Sequence, residues 1–152
     1  MCQQIESLSI FATVFTTIGS IATVFGVLAT VCTYRSSTIR QSKLATIEEY
    51  TRIRDKYPNL SPKASVTVDD ATRLDYIKEM ERFCTGINLK IYDIKTLNKM
   101  SGARLTTQYE YLKDLIEVSK GKVRNAEPEK LYCEYSQTIK RIRALRSKKS
   151  HK

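Results

Sequence analysis

The chain has no tryptophan and a single histidine, His151, the penultimate of its 152 residues. Serine and cysteine nucleophiles of the usual triads need an imidazole held inside a folded scaffold, so that chemistry has no base here. Histidine-based metal sites are excluded for the same reason. The four cysteines, Cys2, Cys32, Cys84 and Cys133, form no Cys-x-x-Cys pair and lack the spacing of a structural zinc site. The five glycines, at 19, 26, 86, 102 and 121, are too scattered to cradle a nucleotide phosphate. Glu48 with Glu49 and Glu79 with Glu81 are close in sequence, but such neighbours do not face each other on a helix and read as solvated surface. No nucleophile, base and orienting group assemble. The sequence therefore predicts a protein that is not an enzyme, with no metal, no cofactor and no small-molecule substrate.

Charge is absent from one long stretch. Residues 7–34, SLSIFATVFTTIGSIATVFGVLATVCTY, contain no Asp, Glu, Lys, Arg or His. As a helix this run is roughly 42 Å long, at about 1.5 Å per residue, against about 30 Å of bilayer hydrocarbon. Its Thr and Ser hydroxyls are compatible with lipid, because each can bond a carbonyl one turn back. The run also reads as a signal peptide cut near Val27-Leu28-Ala29, or as a buried helix of a soluble core. It is about twice the length of a signal-peptide core and no Lys or Arg precedes it, which favours a transmembrane helix.

The flanks orient that helix. Only Glu6 and the α-amino group precede it, whereas Arg35, Arg40 and Lys43 follow. Positive residues stay on the cytoplasmic side, which puts the N-terminus outside and the C-terminal domain in the cytoplasm, at the cell membrane. The dispersed cysteines suit a reducing compartment. Gly19, Ala22, Thr23, Gly26 and Thr30 form a small-residue stripe on which two helices can pack, a weak dimerisation pattern.

After the span the pattern is helical throughout, and VTV at 66–68 is too short to read as a strand. One helix carries Leu44, Ile47, Tyr50 or Thr51, and Ile53 or Arg54, and ends at Pro58 and Pro62. Asp69 or Asp70 caps a second, running through Leu74, Ile77, Met80, Phe83 or Cys84, Ile87 and Ile91. Asp93 caps a short third with Ile94, Leu97 and Met100. Another carries Leu105, Tyr109, Leu112 and Leu115 or Ile116 and stops near Gly121. Pro128 opens the last, with Leu131, Tyr135, Ile139, Ile142 and Leu145. The fold class is all-α, one N-terminal transmembrane helix followed by a small cytoplasmic helical bundle. Its divisions are a flank at 1–6, the span at 7–34, the helical domain at 35–138 and a polybasic helix end and tail at 139–152.

Glu81 lies close to the apolar face of its helix and needs a partner there, with Arg104 as the candidate for a structural ion pair. The nine tyrosines, interleaved with basic residues, read as core residues with their hydroxyls at the surface.

The final fourteen residues hold Lys140, Arg141, Arg143, Arg146, Lys148, Lys149 and Lys152 and no acid, and so carry most of the net charge of +10. Beside a membrane such a tail meets anionic lipid headgroups, with nucleic acid as the rival polyanion. The segment Arg40 to Tyr50, RQSKLATIEEY, and the stretch Tyr76 to Ile116, with Glu81, Gly86 and Asp93 at its pattern positions, resemble the DUF4760 family of uncharacterised, membrane-anchored bacterial proteins. That resemblance implies a membrane-anchored architecture and no reaction. The functional expectation is a single-pass interaction or scaffold module that binds a protein partner or forms a homo-oligomer, its tail on lipid. An oligomerising effector that permeabilises the bilayer is the alternative, and a membrane-tethered nucleic-acid binder the third.

Overall fold

The helical periodicities of the sequence become four helices in the computed structural model, which describes residues 2–60, 68–122 and 131–150, with side chains described for 23–60, 68–121 and 131–148. They are α1 (Cys2–Lys56), α2 (Asp70–Asn88), α3 (Ile94–Lys122) and α4 (Cys133–Ser150). The described residues contain no strand, so the fold is all-α. Contacts divide the chain into two units, Met1–Arg40 and Gln41–Lys152.

In the first unit every residue from 23 to 40 is exposed. Thr30, Thr33 and Thr38 donate to the carbonyls of Gly26, Ala29 and Tyr34 at 2.8, 2.9 and 3.0 Å, so these hydroxyls are satisfied within the helix. Among the described residues no helix is long and apolar enough to cross a membrane. The expected span begins at Ser7, and its part before Thr23 lies outside the residues whose side chains are described.

The second unit has one core. Tyr50 and Ile53 of α1 join Ile77, Met80, Phe83, Cys84 and Ile87 of α2, Leu97, Leu105, Leu112 and Ile116 of α3, and Tyr135, Ile139 and Ile142 of α4. α4 packs on both α2 and α3. The expected register of α1 is off: Leu44 and Ile47 are exposed, while the polar Thr46 is buried. Thr46 turns inward because its hydroxyl has two partners, donating to Ser42 O at 2.6 Å and accepting from Asp93 N–H at 2.7 Å.

Asp69 is the α2 cap, accepting from the amide and hydroxyl of Thr72 at 3.0 and 2.6 Å. The helix stops at Asn88, three residues before the expected Ile91, which is exposed. Ile91 N–H and Lys90 N–H close the end on Gly86 O and Ile87 O, with Lys90 at φ 63°. This is the Schellman arrangement, with lysine where glycine is usual. Gly86 is needed for space: a Cβ there would lie 2.5 Å from the Tyr92 ring. Asp93 then caps α3 through Thr96, as the sequence predicts, and non-helical dihedrals at Ser101 kink α3 where two helices were expected.

Five of the tyrosines, at 50, 57, 76, 132 and 135, are core residues. The hydroxyl of Tyr76 is not at the surface as expected but buried, donating to Gln108 Oε1 at 3.2 Å. Burial pushes the phenols of Tyr76 and Tyr135 and the thiol of Cys84 above their ordinary pKa values.

Candidate functional site

The basic residues of α4 can serve a ligand only if α4 is held in place, and among the described residues its start lacks a cap of its own. Tyr132 precedes the helix at φ 58° and brings no acceptor for the first free amides. Glu81 of α2 supplies one. Its two oxygens accept from Glu134 N–H at 3.0 Å and Tyr135 N–H at 2.8 Å, the amides an N-cap side chain would normally take. A carboxylate is also favoured at this positive end of the helix dipole.

The expected ion pair with Arg104 is therefore replaced by a cap between helices, and Arg104 is exposed. Burial raises the Glu81 carboxyl above its ordinary pKa against the opposing pull of those two amides. A second tie lies alongside. Asn88 at the end of α2 donates to Glu134 and accepts from Arg141 Nη1 at 2.5 Å.

With α4 fixed, its cations divide between two flanks. Arg141 faces α2 through Asn88. On the other side Arg143 pairs with Glu110 of α3. Arg143 and Arg146, with Thr106, Thr107 and Glu110, line an open depression of about 430 Å³. Lys140, Arg146 and Lys148 are exposed, whereas the side chain of Lys149 and all of Lys152 lie outside the described residues. Of the five predicted residues whose side chains are described, Arg141 and Arg143 are engaged within the bundle, so these five do not make one uniform face.

Of the flank residues, Arg35, Arg40 and Lys43 are all exposed. Of the small-residue stripe, Gly19 and Ala22 lie outside the residues whose side chains are described. Gly26 has open space where its Cβ would be, and Thr30 is turned back on its own helix.

Sequence reasoning missed a polar clamp between α1 and α2. Glu79, read as solvated, accepts from Lys56 at 2.7 Å and Arg52 at 3.0 Å, and Arg52 also holds Glu49 at 2.6 Å. The Lys56 hydrogen bond, joined by Arg52, keeps the Glu79 carboxyl below its ordinary pKa. The signal was present only as charges of opposite sign on two helices, with nothing to give their register. Among the described residues, no group of three His, Cys, Asp or Glu side chains is placed to hold a metal ion. No family model, no curated protein and no solved structure matches this chain.

Proposed function

We propose that the chain is a single-pass membrane-anchored protein whose helical bundle works at the cytoplasmic face as an interaction module, with the exposed cations of α4 meeting anionic lipid. The observation that carries this reading is the exposed run Val24, Phe25, Val27, Leu28, Val31 and Tyr34, at 54 to 75% exposure. These residues cover one broad half of the helix, and the other half carries Gly26, Ala29, Thr30 and Thr33, so no side of it bears a charge. An exposed apolar helix face with no charge on any side of the helix belongs in lipid or in a large core. The back-bonded Thr hydroxyls and the absence of charge from residue 7 to residue 34 support the same reading. Arg35, Arg40 and Lys43 set the orientation.

Burial pushes the Cys84 thiol toward its protonated form, which suits a core residue rather than a nucleophile. A surface carrying Lys140, Arg146 and Lys148 beside a membrane attracts acidic headgroups at about 1 kcal/mol per cation near the surface. The DUF4760 resemblance implies the same architecture, and the reading does not depend on it.

The test is alkaline carbonate extraction of bacterial membranes after expression of the full chain, with reporters fused to either end. The protein should remain in the pellet with its C-terminal reporter active in the cytoplasm. Release into the supernatant would overturn the anchor, and a periplasmic C-terminus would overturn the orientation.

A further inference from the structure

The turn between α2 and α3 exposes two aliphatic side chains that the core had every opportunity to take. Leu89 is 67% and Ile91 55% exposed, and the exposed Lys90 stands between them. In a Schellman end the apolar residue two positions past the cap usually folds back over the last helical turn. Here that residue is Ile91, and the position it would cover is Gly86, which offers no side chain and is already roofed by the Tyr92 ring. The ring in turn stacks on Phe83, with centroids 4.9 Å apart. Ile91 is left pointing outward by construction.

The turn is also rigid. Gly86 O accepts from Ile91 N–H at 2.9 Å and Tyr92 N–H at 3.2 Å, and Leu89 N–H reaches Thr85 O at 2.9 Å. α1 pins it from the side: Ser42 Oγ donates to Ile91 O at 2.9 Å, and Asp93 N–H donates to the Thr46 hydroxyl. A fixed tip of two aliphatics flanking a cation matches the boundary of a bilayer, where acyl chains meet phosphates. Its place in the chain agrees. Ser42 is eight residues after Tyr34, the last residue of the uncharged run, and Lys43 is its neighbour.

We propose that the Leu89-Lys90-Ile91 turn is a further membrane contact, beside the anchor and the α4 cations, inserting Leu89 and Ile91 into the headgroup boundary while Lys90 meets lipid phosphate. This rests on the membrane-anchored reading. An inserted turn limits the ways the bundle can turn against the membrane, and so sets which of its faces meets a partner.

Because the chain has no tryptophan, one substitution makes a clean probe. L89W is introduced into the full chain, reconstituted in phosphatidylcholine–phosphatidylglycerol vesicles. V118W, at an exposed site near the far end of α3, is the control. The L89W emission should shift to the blue and be quenched by lipids brominated about 5–10 Å below the headgroups, whereas V118W should do neither. An unquenched, red emission from L89W in vesicle-bound protein would overturn the contact while leaving the anchor standing. A blue-shifted but unquenched L89W would overturn it in favour of a protein surface, a second copy of the chain included. Failure of the protein to bind vesicles at all would overturn the anchor and the contact together.

Discussion

Two stretches of α1 carry similar side chains and use them in opposite ways. Between Val24 and Tyr34 every residue is exposed, and the hydroxyls of Thr30 and Thr33 close on their own helix. Between Thr46 and Tyr57 burial follows one stripe, Thr46, Tyr50, Ile53 and Tyr57, and the Thr46 hydroxyl reaches across to Asp93. A threonine thus marks nothing by itself. Where it bonds back it makes the helix self-sufficient, and where it bonds across it joins one helix to another segment. The second kind of helix is finished by its own fold, and under the proposed anchor the first is finished by lipid.

The sharpest way to separate the two is to break the bundle alone. Phe83 is 2% exposed and sits among the rings of Tyr50 and Tyr92. Phe83→Ala should destabilise the bundle by about 3–5 kcal/mol, measured by urea unfolding in detergent micelles with circular dichroism. Carbonate extraction of the same variant should be unchanged. Loss of membrane retention in parallel would show that the two stretches are not independent.

A smaller effect comes from Glu81→Ala, which leaves the Glu134 and Tyr135 amides without their acceptor. The expected cost is about 1–3 kcal/mol, with hydrogen exchange accelerated first at those two amides. Glu81→Gln keeps one acceptor oxygen and should fall between Ala and the parent. Uniform acceleration over all four helices would mean that the carboxylate does not act as a local cap.

The smallest effect is one of pH. With its folded pKa depressed, Glu79 stays ionised where an unfolded glutamate has begun to protonate. Its pairs with Lys56 and Arg52 therefore stabilise the bundle above the ordinary carboxylate range, and that contribution is lost as pH falls through the folded value. Exposed pairs of this kind contribute about 0.2–1 kcal/mol. The stability difference between the parent and Glu79→Gln should be present at neutral pH and vanish in acid. A difference that persists unchanged in acid would assign it to packing.

The sequence carried the helices and most of their starts. Asp69 and Asp93 were readable as caps because a short acceptor followed three residues later by a threonine is a local signal, complete within one turn. The core stripes of α2, α3 and α4 were readable for a similar reason, since Ile77, Met80, Leu105, Leu112, Ile139 and Ile142 repeat at helical spacing. What was missed is non-local. Thr46 was passed over in favour of Leu44 and Ile47 because its value lies in a backbone amide far along the chain. Glu81 was recognised as needing a partner, but its partners are amides, which leave no trace in a side-chain pattern. The seven basic residues of the α4 end could be counted, yet the engagement of Arg141 and Arg143 depends on Asn88 and Glu110, which belong to other helices.

The cap formed by Glu81 bears on the order in which the molecule can be assembled. The carboxylate and the amides it satisfies are 53 and 54 residues apart, so among the described residues the start of α4 is completed from another helix. A helix that carries like charges along its length is poorly suited to nucleate alone. During synthesis α4 emerges after α2 and meets this acceptor on a helix already made, so the arrangement of the α4 cations depends on α2 being in place.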